Sequence, residues 1–598
     1  MLSLKTHRAK LSCREKNMIT VKINGKEIKA KEGSTIMEVA HAANVKIPSL
    51  CYHKDLLPWG SCGLCIVHLE GNNRMMRACC TEAVDGMSII THDAQIVRAR
   101  RTVLELILSN HPQNCLTCIR NNKCELQSLA AEFGLTDVRF DHILSENPTD
   151  NSNAAIVFDR YKCISCGRCV QVCNQMQAVY AIEHQGRGHK TIIAPAMKKE
   201  LKDSPCVRCG QCAVHCPVGA IHEAKPVADI WAKLADPDVV SVAHIAPAVR
   251  VALGEEFGLP PGELTTGKIY AALRRIGFEY VFDNNFSADL TIMEEAQEFV
   301  NNFTSGTYKF PQFTSCCPAW IDYAEKYHHN LLPHLSTSKS PAQMMGAMIK
   351  TYWAEKANID PKKIFSVEIM PCTAKKYEII RDESMSSSGM QDNDVVLTTR
   401  ELANLIRQAG IEFDLLEDQE ADSPLGPYSG AGTIFGATGG VMEAALRTAY
   451  FTITGKELDK IDFTEVRGID NVKEAKVNIA GNEIRIAVIH QLGNLPEFLA
   501  KLNQSMEAGG EPLYHFIEVM ACRGGCVGGG GQPYGGATDE VRLARAKGLY
   551  TDDERSTIRC SHDNPLIKQI YSEFLEKPNS EKAHKLLHTH YSKRPLYK

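Results

Sequence analysis

Apolar and polar positions alternate along residues 18–31 on either side of Asn24-Gly25, the pattern of two strands joined by a tight hairpin. A helical stretch follows over 34–44, with Ser34 or Thr35 placed to cap it and Glu38 near the capping-box position. A glycine-punctuated loop then leads into a short strand at 66–69. Residues 96–109 and 125–133 read as helices flanking a cysteine-bearing loop, and the polar stretch 145–153 around Pro148 reads as a linker. Beyond Pro226 the pattern changes: short apolar runs at 239–243, 364–369, 484–489 and 516–520 alternate with amphipathic helices such as 399–408 and 442–448. Apolar strands of that kind belong in parallel sheets covered on both faces. The polar segment 382–394, rich in Ser and Asp, reads as an exposed surface loop.

Composition narrows the function classes. The 598 residues suffice for about four domains. Sixty-seven Lys and Arg against 71 Asp and Glu leave a net charge of -4, with no basic excess to attract nucleic acid. The most apolar stretch, 239–249, is cut by His244 and Pro247, so no membrane span is expected. Lys5, Arg8, Lys10, Arg14 and Lys16 precede no signal-peptide core, which points to the cytoplasm. Cysteine is the informative residue. Of 23, 16 fall between Cys51 and Cys216, a clustering that suits metal-bound thiolates in a reducing compartment better than a disulfide lattice.

Cys163, Cys166, Cys169 and Cys173 form C-x2-C-x2-C-x3-C, and Cys206, Cys209, Cys212 and Cys216 repeat it. In such runs three thiolates wrap one cubane and the fourth reaches its neighbour. Cys163, Cys166, Cys169 and Cys216 are thereby assigned to one 4Fe-4S cluster, and Cys206, Cys209, Cys212 and Cys173 to the next. Asn174 stands where many two-cluster ferredoxins have Pro. The wide, close, wide spacing of Cys51, Cys62, Cys65 and Cys79 resembles the plant-type 2Fe-2S arrangement; Cys80 could in principle replace Cys79, but the Arg-Ala-Cys context after a strand favours Cys79 and leaves Cys80 as a buried small residue. His111, Cys115, Cys118 and Cys124 read as H-x3-C-x2-C-x5-C; zinc accepts that spacing, but the flanking modules favour a histidine-ligated 4Fe-4S cluster.

Four segments carry the rest: TSCCP at 314–318, MPCTAKK at 370–376, IFGATGG at 434–440 and MACRGGC at 520–526, running into GGGGQP. Cys317, Cys372, Cys522 and Cys526 are four thiols from three distant segments, each beside an expected strand, and together can hold a further 4Fe-4S cluster. The glycines at 436, 439, 440, 524, 525 and 528–531 would let backbone approach an inorganic cofactor. Phosphate cradling is the other reading of these loops, but no Lys-Ser/Thr pair follows them.

On these segments the chain, from about residue 18, resembles an iron-only (FeFe) hydrogenase. The resemblance implies a multidomain α/β and α+β protein. Its parts are an extension (1–17), a β-grasp 2Fe-2S ferredoxin-like domain (18–96), a histidine-ligated 4Fe-4S domain (97–142), a two-cluster ferredoxin-like domain (143–226) and an H-cluster catalytic domain (227–598). The last ends in a small-subunit-like segment from about 540, including AHKLLHTHYSKR at 583–594.

By the same resemblance Cys317, Cys372, Cys522 and Cys526 hold the H-cluster cubane, with Cys526 bridging to a di-iron unit carrying CO, cyanide and a bridging dithiolate amine. Lys375 would donate to one cyanide, Met370, Met520 and Phe435 would shield the irons, and Pro247 and Ala248 would offer the other cyanide only backbone. Cys316, Glu295, Ser336 and Glu298 match the family's proton relay. The two glutamates, spaced i, i+3, share a helix face. The implied reaction is reversible oxidation of H2 to protons. Three accessory 4Fe-4S clusters and one 2Fe-2S cluster would carry electrons to ferredoxin or to NAD(P)-linked, diaphorase-type subunits, and maturation factors would supply the di-iron unit. Two alternatives stay open at this point: an electron-relay subunit of the complex I type, and a non-catalytic relative serving iron-sulfur assembly or hydrogen sensing.

Overall fold

The computed structural model describes residues 17–142, 148–224, 227–305, 310–458 and 460–597; the N-terminal extension with Cys13 and part of the 145–153 linker lie outside them. The chain divides into two compact units, the first comprising 1–148, 159–168 and 217–220, the second 149–158, 169–216 and 221–598.

In the first unit, strands Met18–Ile23 and Lys26–Lys31 pair antiparallel with Val21 opposite Ile28. Asn24 and Gly25 between them take positive φ (51° and 82°), as a two-residue hairpin turn requires. The sheet runs Lys26–Lys31, Met18–Ile23, Ser88–Ile90, Ile66–Leu69, Asn72–Arg77, and the contact of Met18–Ile23 with Ser88–Ile90 is parallel. Helix Ile36–Ala42 starts on a complete capping box: Thr35 accepts from the Glu38 amide while the Glu38 carboxylate accepts from the Thr35 amide. Its apolar face, Ile36, Met37, Val39 and Ala40, joins Val21, Ile23 and Val67 in the core of this unit. Helices Ala94–Ser109 and Glu125–Glu132 follow.

The second unit holds two four-stranded sheets. One is wholly parallel, in the order Tyr280–Asp283, Val240–Ile245, Ile364–Met370, Val395–Thr398. Ile364–Met370 is buried at every position, as a central parallel strand covered by helices must be. The other sheet runs Gln312–Phe313, Phe516–Met520, Asn482–His490, Val472–Ile479, with only the last pair antiparallel. Parallel strands release their chains at one common edge, and both sheets do so toward cysteine-bearing turns: Cys372 lies two residues past Met370, and Cys522 two past Met520.

Segment 382–394 is largely irregular, but it is not the exposed loop its composition suggests. Met385, Asp392 and Asn393 are buried, and Lys339 Nζ donates to Asp392 Oδ2 at 3.1 Å, so the polar residues serve internal partners. Helices Pro565–Ile570 and Glu581–Leu587 place Ile567, Leu586 and Leu587 in one core with Phe286 and Trp353. No helix among the described residues is long and apolar enough to cross a membrane.

Candidate active site

Four thiols converge from three segments. Cys317 caps helix Pro318–Tyr327, Cys372 lies between strand Ile364–Met370 and helix Lys375–Glu378, and Cys522 and Cys526 bracket the turn after Phe516–Met520. Gly524 and Gly525 in that turn take φ of 76° and 89°, which favours glycine. Burial pushes all four thiols up, Cys372 to about 12, and Cys522 is raised further by Cys372, Cys317 and Cys526. Buried thiols that mutually resist ionisation fit a positive centre, because coordination as thiolates relieves both burial and repulsion. These residues therefore suit an iron-sulfur cubane.

Beside Cys372 and Cys526 lies a cavity lined also by Pro247, Ala248, Cys316, Met370, Lys375 and Phe435. Met520 is buried next to Gly525, where a Cβ would stand 2.8 Å from its Sδ. Lys375 Nζ donates to Glu378 Oε2 and Ser340 Oγ, both at 2.6 Å. Burial opposes its charge, but Glu378 and Glu368 outweigh that and hold the ammonium above its usual value. Glu378 escaped the sequence reading although its i, i+3 spacing from Lys375 was legible. Glu518 was also missed: from strand Phe516–Met520 it accepts from the amides of Gly439 (2.6 Å) and Met442 (2.8 Å), fixing the start of helix Gly440–Thr454.

At several of the loop glycines the direction a side chain would take is filled by protein backbone. Added Cβ atoms at Gly440, Gly529 and Gly530 would stand 1.8 Å from Ile434 O, 2.2 Å from Pro371 O and 2.2 Å from Cys209 O. The missing side chains let protein backbone pack on protein backbone.

Leading outward, Glu295 and Glu298 share helix Asn284–Ser305. Burial, then Glu298, raises the Glu295 carboxyl to about 8. The Ser336 hydroxyl and the Ser315 backbone favour the Glu295 carboxylate and offset part of the burial. Burial, then Glu295, also keeps the Cys316 thiol well above its usual value. Ser336 Oγ donates to Glu298 Oε2 at 2.6 Å, and burial raises that carboxyl too.

Cys173, Cys206, Cys209 and Cys212 border an apolar cavity. Cys209 lies in the field of Cys522, and Gln211 Nε2 donates to Gly528 O at 2.8 Å, so this cradle abuts the turn that carries Cys522 and Cys526. In the first unit Cys51 and Cys62 approach to 3.5 Å and Cys65 and Cys79 to 3.3 Å. Cys80, read as a buried residue, is exposed instead; its Sγ lies 3.5 Å from that of Cys79 and fills the space a Cβ on Gly60 would need. His111 is buried, burial lowers it to about 4, and its Nδ1 has no partner among the described residues, which suits a neutral imidazole ligand. Of the remaining set, Cys163 and Cys166 belong to the first unit and Cys169 and Cys216 to the second.

Comparison with known families matches residues 239–530 to the iron only hydrogenase large subunit, C-terminal domain, and 539–594 to the iron hydrogenase small subunit. Upstream, 16–94 match a 2Fe-2S iron-sulfur cluster binding domain, 100–139 the NADH-ubiquinone oxidoreductase-G iron-sulfur binding region, and 162–220 a 4Fe-4S dicluster domain. The chain is 45% identical to the NADP-reducing hydrogenase subunit HndD of Solidesulfovibrio fructosivorans over 97% of its own length and 99% of that protein. It is 40% identical to iron hydrogenase 1 of Clostridium pasteurianum over 96% and 100% of the two chains. Among solved structures, the FeFe-hydrogenase HydA1 of Chlamydomonas reinhardtii aligns with a TM-score of 0.55 and 41% identity, covering 62% of this chain and 99% of that one.

Proposed function

The chain belongs to the iron-only hydrogenase family and is an iron hydrogenase with 2Fe-2S and 4Fe-4S domains, and on that premise we propose how its own residues divide the work. Cys317, Cys372, Cys522 and Cys526 hold the cubane of the H-cluster, and the cavity beside Cys526 receives the di-iron unit. When bound, the H-cluster supplies the redox chemistry that splits or forms dihydrogen. Lys375, tied down by Glu378 and Ser340, keeps a fixed positive charge at the cavity wall for an anionic ligand. Pro247, Ala248, Met370 and Phe435 keep that wall apolar and exclude water. Cys316, needed by no cluster, takes up or delivers the proton at the cavity. Glu295, Ser336 and Glu298 pass it along the helix.

Electrons enter or leave through four accessory clusters: a 2Fe-2S cluster on Cys51, Cys62, Cys65 and Cys79, and 4Fe-4S clusters on His111 with Cys115, Cys118 and Cys124, on Cys163, Cys166, Cys169 and Cys216, and on Cys206, Cys209, Cys212 and Cys173. Cys209 beside Cys522 makes the last set the nearest to the catalytic thiols. The partners we infer are ferredoxin or NAD(P)-linked subunits, in keeping with the relative named as an NADP-reducing hydrogenase subunit, with maturation factors supplying the di-iron unit in the cytoplasm.

The observation that carries this reading is the placement of a non-ligand thiol, Cys316, in the same cavity wall as Cys372, Cys526 and Lys375. An electron-relay subunit or an assembly factor has no use for that arrangement. Matured protein should take up H2 with an artificial electron acceptor and show the infrared bands of metal-bound carbonyl and cyanide. Fully loaded protein that is inert in both directions would overturn the catalytic reading.

A further inference from the structure

Glu298 is not the end of the hydrogen-bonded chain. Thr337 Oγ1 donates to Glu298 Oε1 at 3.2 Å and lies 2.8 Å from His588 Nδ1. The opposite ring nitrogen, His588 Nε2, lies 3.1 Å from Glu294 Oε2. Glu294 is fully buried on the same helix as Glu298, and also accepts from the Tyr571 hydroxyl and the Asn579 amide. His588 is 7% exposed, and its ring stacks at 4.0 Å on that of His584, which is exposed. The strap carrying His588 is fastened at this point: Lys339 N donates to Leu587 O, Thr589 N to Thr337 O, and Tyr591 Oη to Ser336 O, at 2.6–2.8 Å.

We propose that His588, from the small-subunit portion of the chain, is a further proton-carrying station of this hydrogenase, joined to Glu298 through the Thr337 hydroxyl and opening to solvent beside His584. The inference rests on the reading that Glu298 carries protons. With Glu294 accepting at Nε2, the proton of a neutral His588 sits on that nitrogen and Nδ1 is free to accept. A protonated Glu298 gives its proton to Thr337 Oγ1 while Thr337 gives its own to His588 Nδ1. One O–H bond breaks at Glu298 and one N–H bond forms at His588, with no change of oxidation state. The products are a carboxylate on Glu298 and an imidazolium facing the Glu294 carboxylate. Loss of that proton to water resets the station, and the reverse sequence brings a proton in. The ionisable groups around the ring are Glu294 and Glu298 from the long helix, Tyr571 behind Glu294, and His584 from the helix before the strap. The fused segment thereby contributes to catalysis, beyond covering the core.

The test uses the matured full-length enzyme and its Thr337→Val, His588→Gln, His588→Ala and Glu298→Gln variants. Iron content and carbonyl and cyanide bands should be unchanged in all. In Thr337→Val and His588→Gln, kcat for H2 uptake should fall on the order of tenfold or more, with KM for H2 unchanged and a larger solvent deuterium isotope effect. Imidazole in the buffer should restore part of the rate of His588→Ala, which a purely structural role would not allow. Wild-type kcat and isotope effect in Thr337→Val and His588→Gln, with Glu298→Gln slow, would remove His588 and leave the relay standing. Wild-type rates in Glu298→Gln as well would remove the relay itself. Thr337→Val keeps side-chain volume and the backbone contact to Glu298, so it decides the matter should either His588 variant lose its iron.

Discussion

Ser336 reaches across to Glu298 with a 2.6 Å hydrogen bond to Oε2, coupling a buried hydroxyl on one segment to a carboxylate on the long helix. Removing the hydroxyl leaves that oxygen without its donor and opens the relay between Glu295 and Glu298. Ser336→Ala should lose about 1–2 kcal/mol of stability and on the order of a hundredfold in turnover. H2-uptake assays beside thermal melts check both. A variant equally fast and equally stable would take Ser336 out of the relay.

The Glu295 carboxyl, raised from 4.5 to about 8 by burial and then by Glu298, binds its proton more tightly folded than unfolded. Its contribution to stability is therefore fully present below about 4.5 and lost as pH rises through about 8, with a slope on the order of 1.4 kcal/mol per pH unit between them. Glu295→Gln should flatten the change in urea midpoint between pH 5 and pH 8. In the wild type the same group should put a limb near pH 8 in the H2-uptake profile, since uptake needs the unprotonated acceptor. An unchanged stability profile in the Gln variant would show that the carboxyl titrates alike in both states.

Gly530 faces the Cys209 carbonyl so closely that a Cβ would stand 2.2 Å from the oxygen and 2.6 Å from Gly210 Cα, both backbone atoms that cannot swing aside. Gly530→Ala should cost about 1–3 kcal/mol through overpacking and loosen the cradle formed by Cys206, Cys209 and Cys212. Iron per chain and the melting temperature should both fall. Gly535→Ala, where nothing lies within 4 Å of the added atom, is the control for added volume, although its φ of 86° carries some strain of its own.

Gly530 also marks where sequence reading reaches its limit. The glycine-rich loops were legible as places of close approach, but composition cannot say what approaches, and here it is backbone from 209–210, 371 and 434. Segment 382–394 failed for a related reason: polarity reports a need for partners, and Asp392 finds Lys339 inside the protein. Strands such as Phe516–Met520 were legible from their largely apolar runs, because a parallel strand is covered on both faces, but the run gave no hint of what the buried Glu518 does. Cys317, Cys372, Cys522 and Cys526 were legible as a type and a position relative to strands. Their convergence depends on two sheets whose neighbouring strands are far apart in sequence. Cys80 was misplaced because one residue decides whether a side chain faces in or out of a turn.

Cys316 and Cys317 are adjacent in sequence and stand in different surroundings, and the roles proposed for them predict a sharp contrast. Cys317 caps a helix, receives the Ala521 amide at 3.4 Å and lies among Cys372, Cys522 and Cys526. Cys316 lies in the cavity wall with Glu295 the foremost charged group acting on it. Cys317→Ala should lose cluster iron and, with it, every spectroscopic sign of the H-cluster, because three thiolates leave one cubane iron open. Cys316→Ala should keep iron content and the carbonyl and cyanide bands while turnover drops by at least about a hundredfold, since Lys375, the other protonatable side chain of that wall outside the proposed ligand set, is held by Glu378 and Ser340. Cys316→Asp, which restores a protonatable group at the same point, should recover part of the rate. Iron analysis, infrared spectra and H2-uptake rates on the three variants separate holding the metal from moving the proton. Equal loss of iron in Cys316→Ala would make Cys316 a structural support of its neighbour.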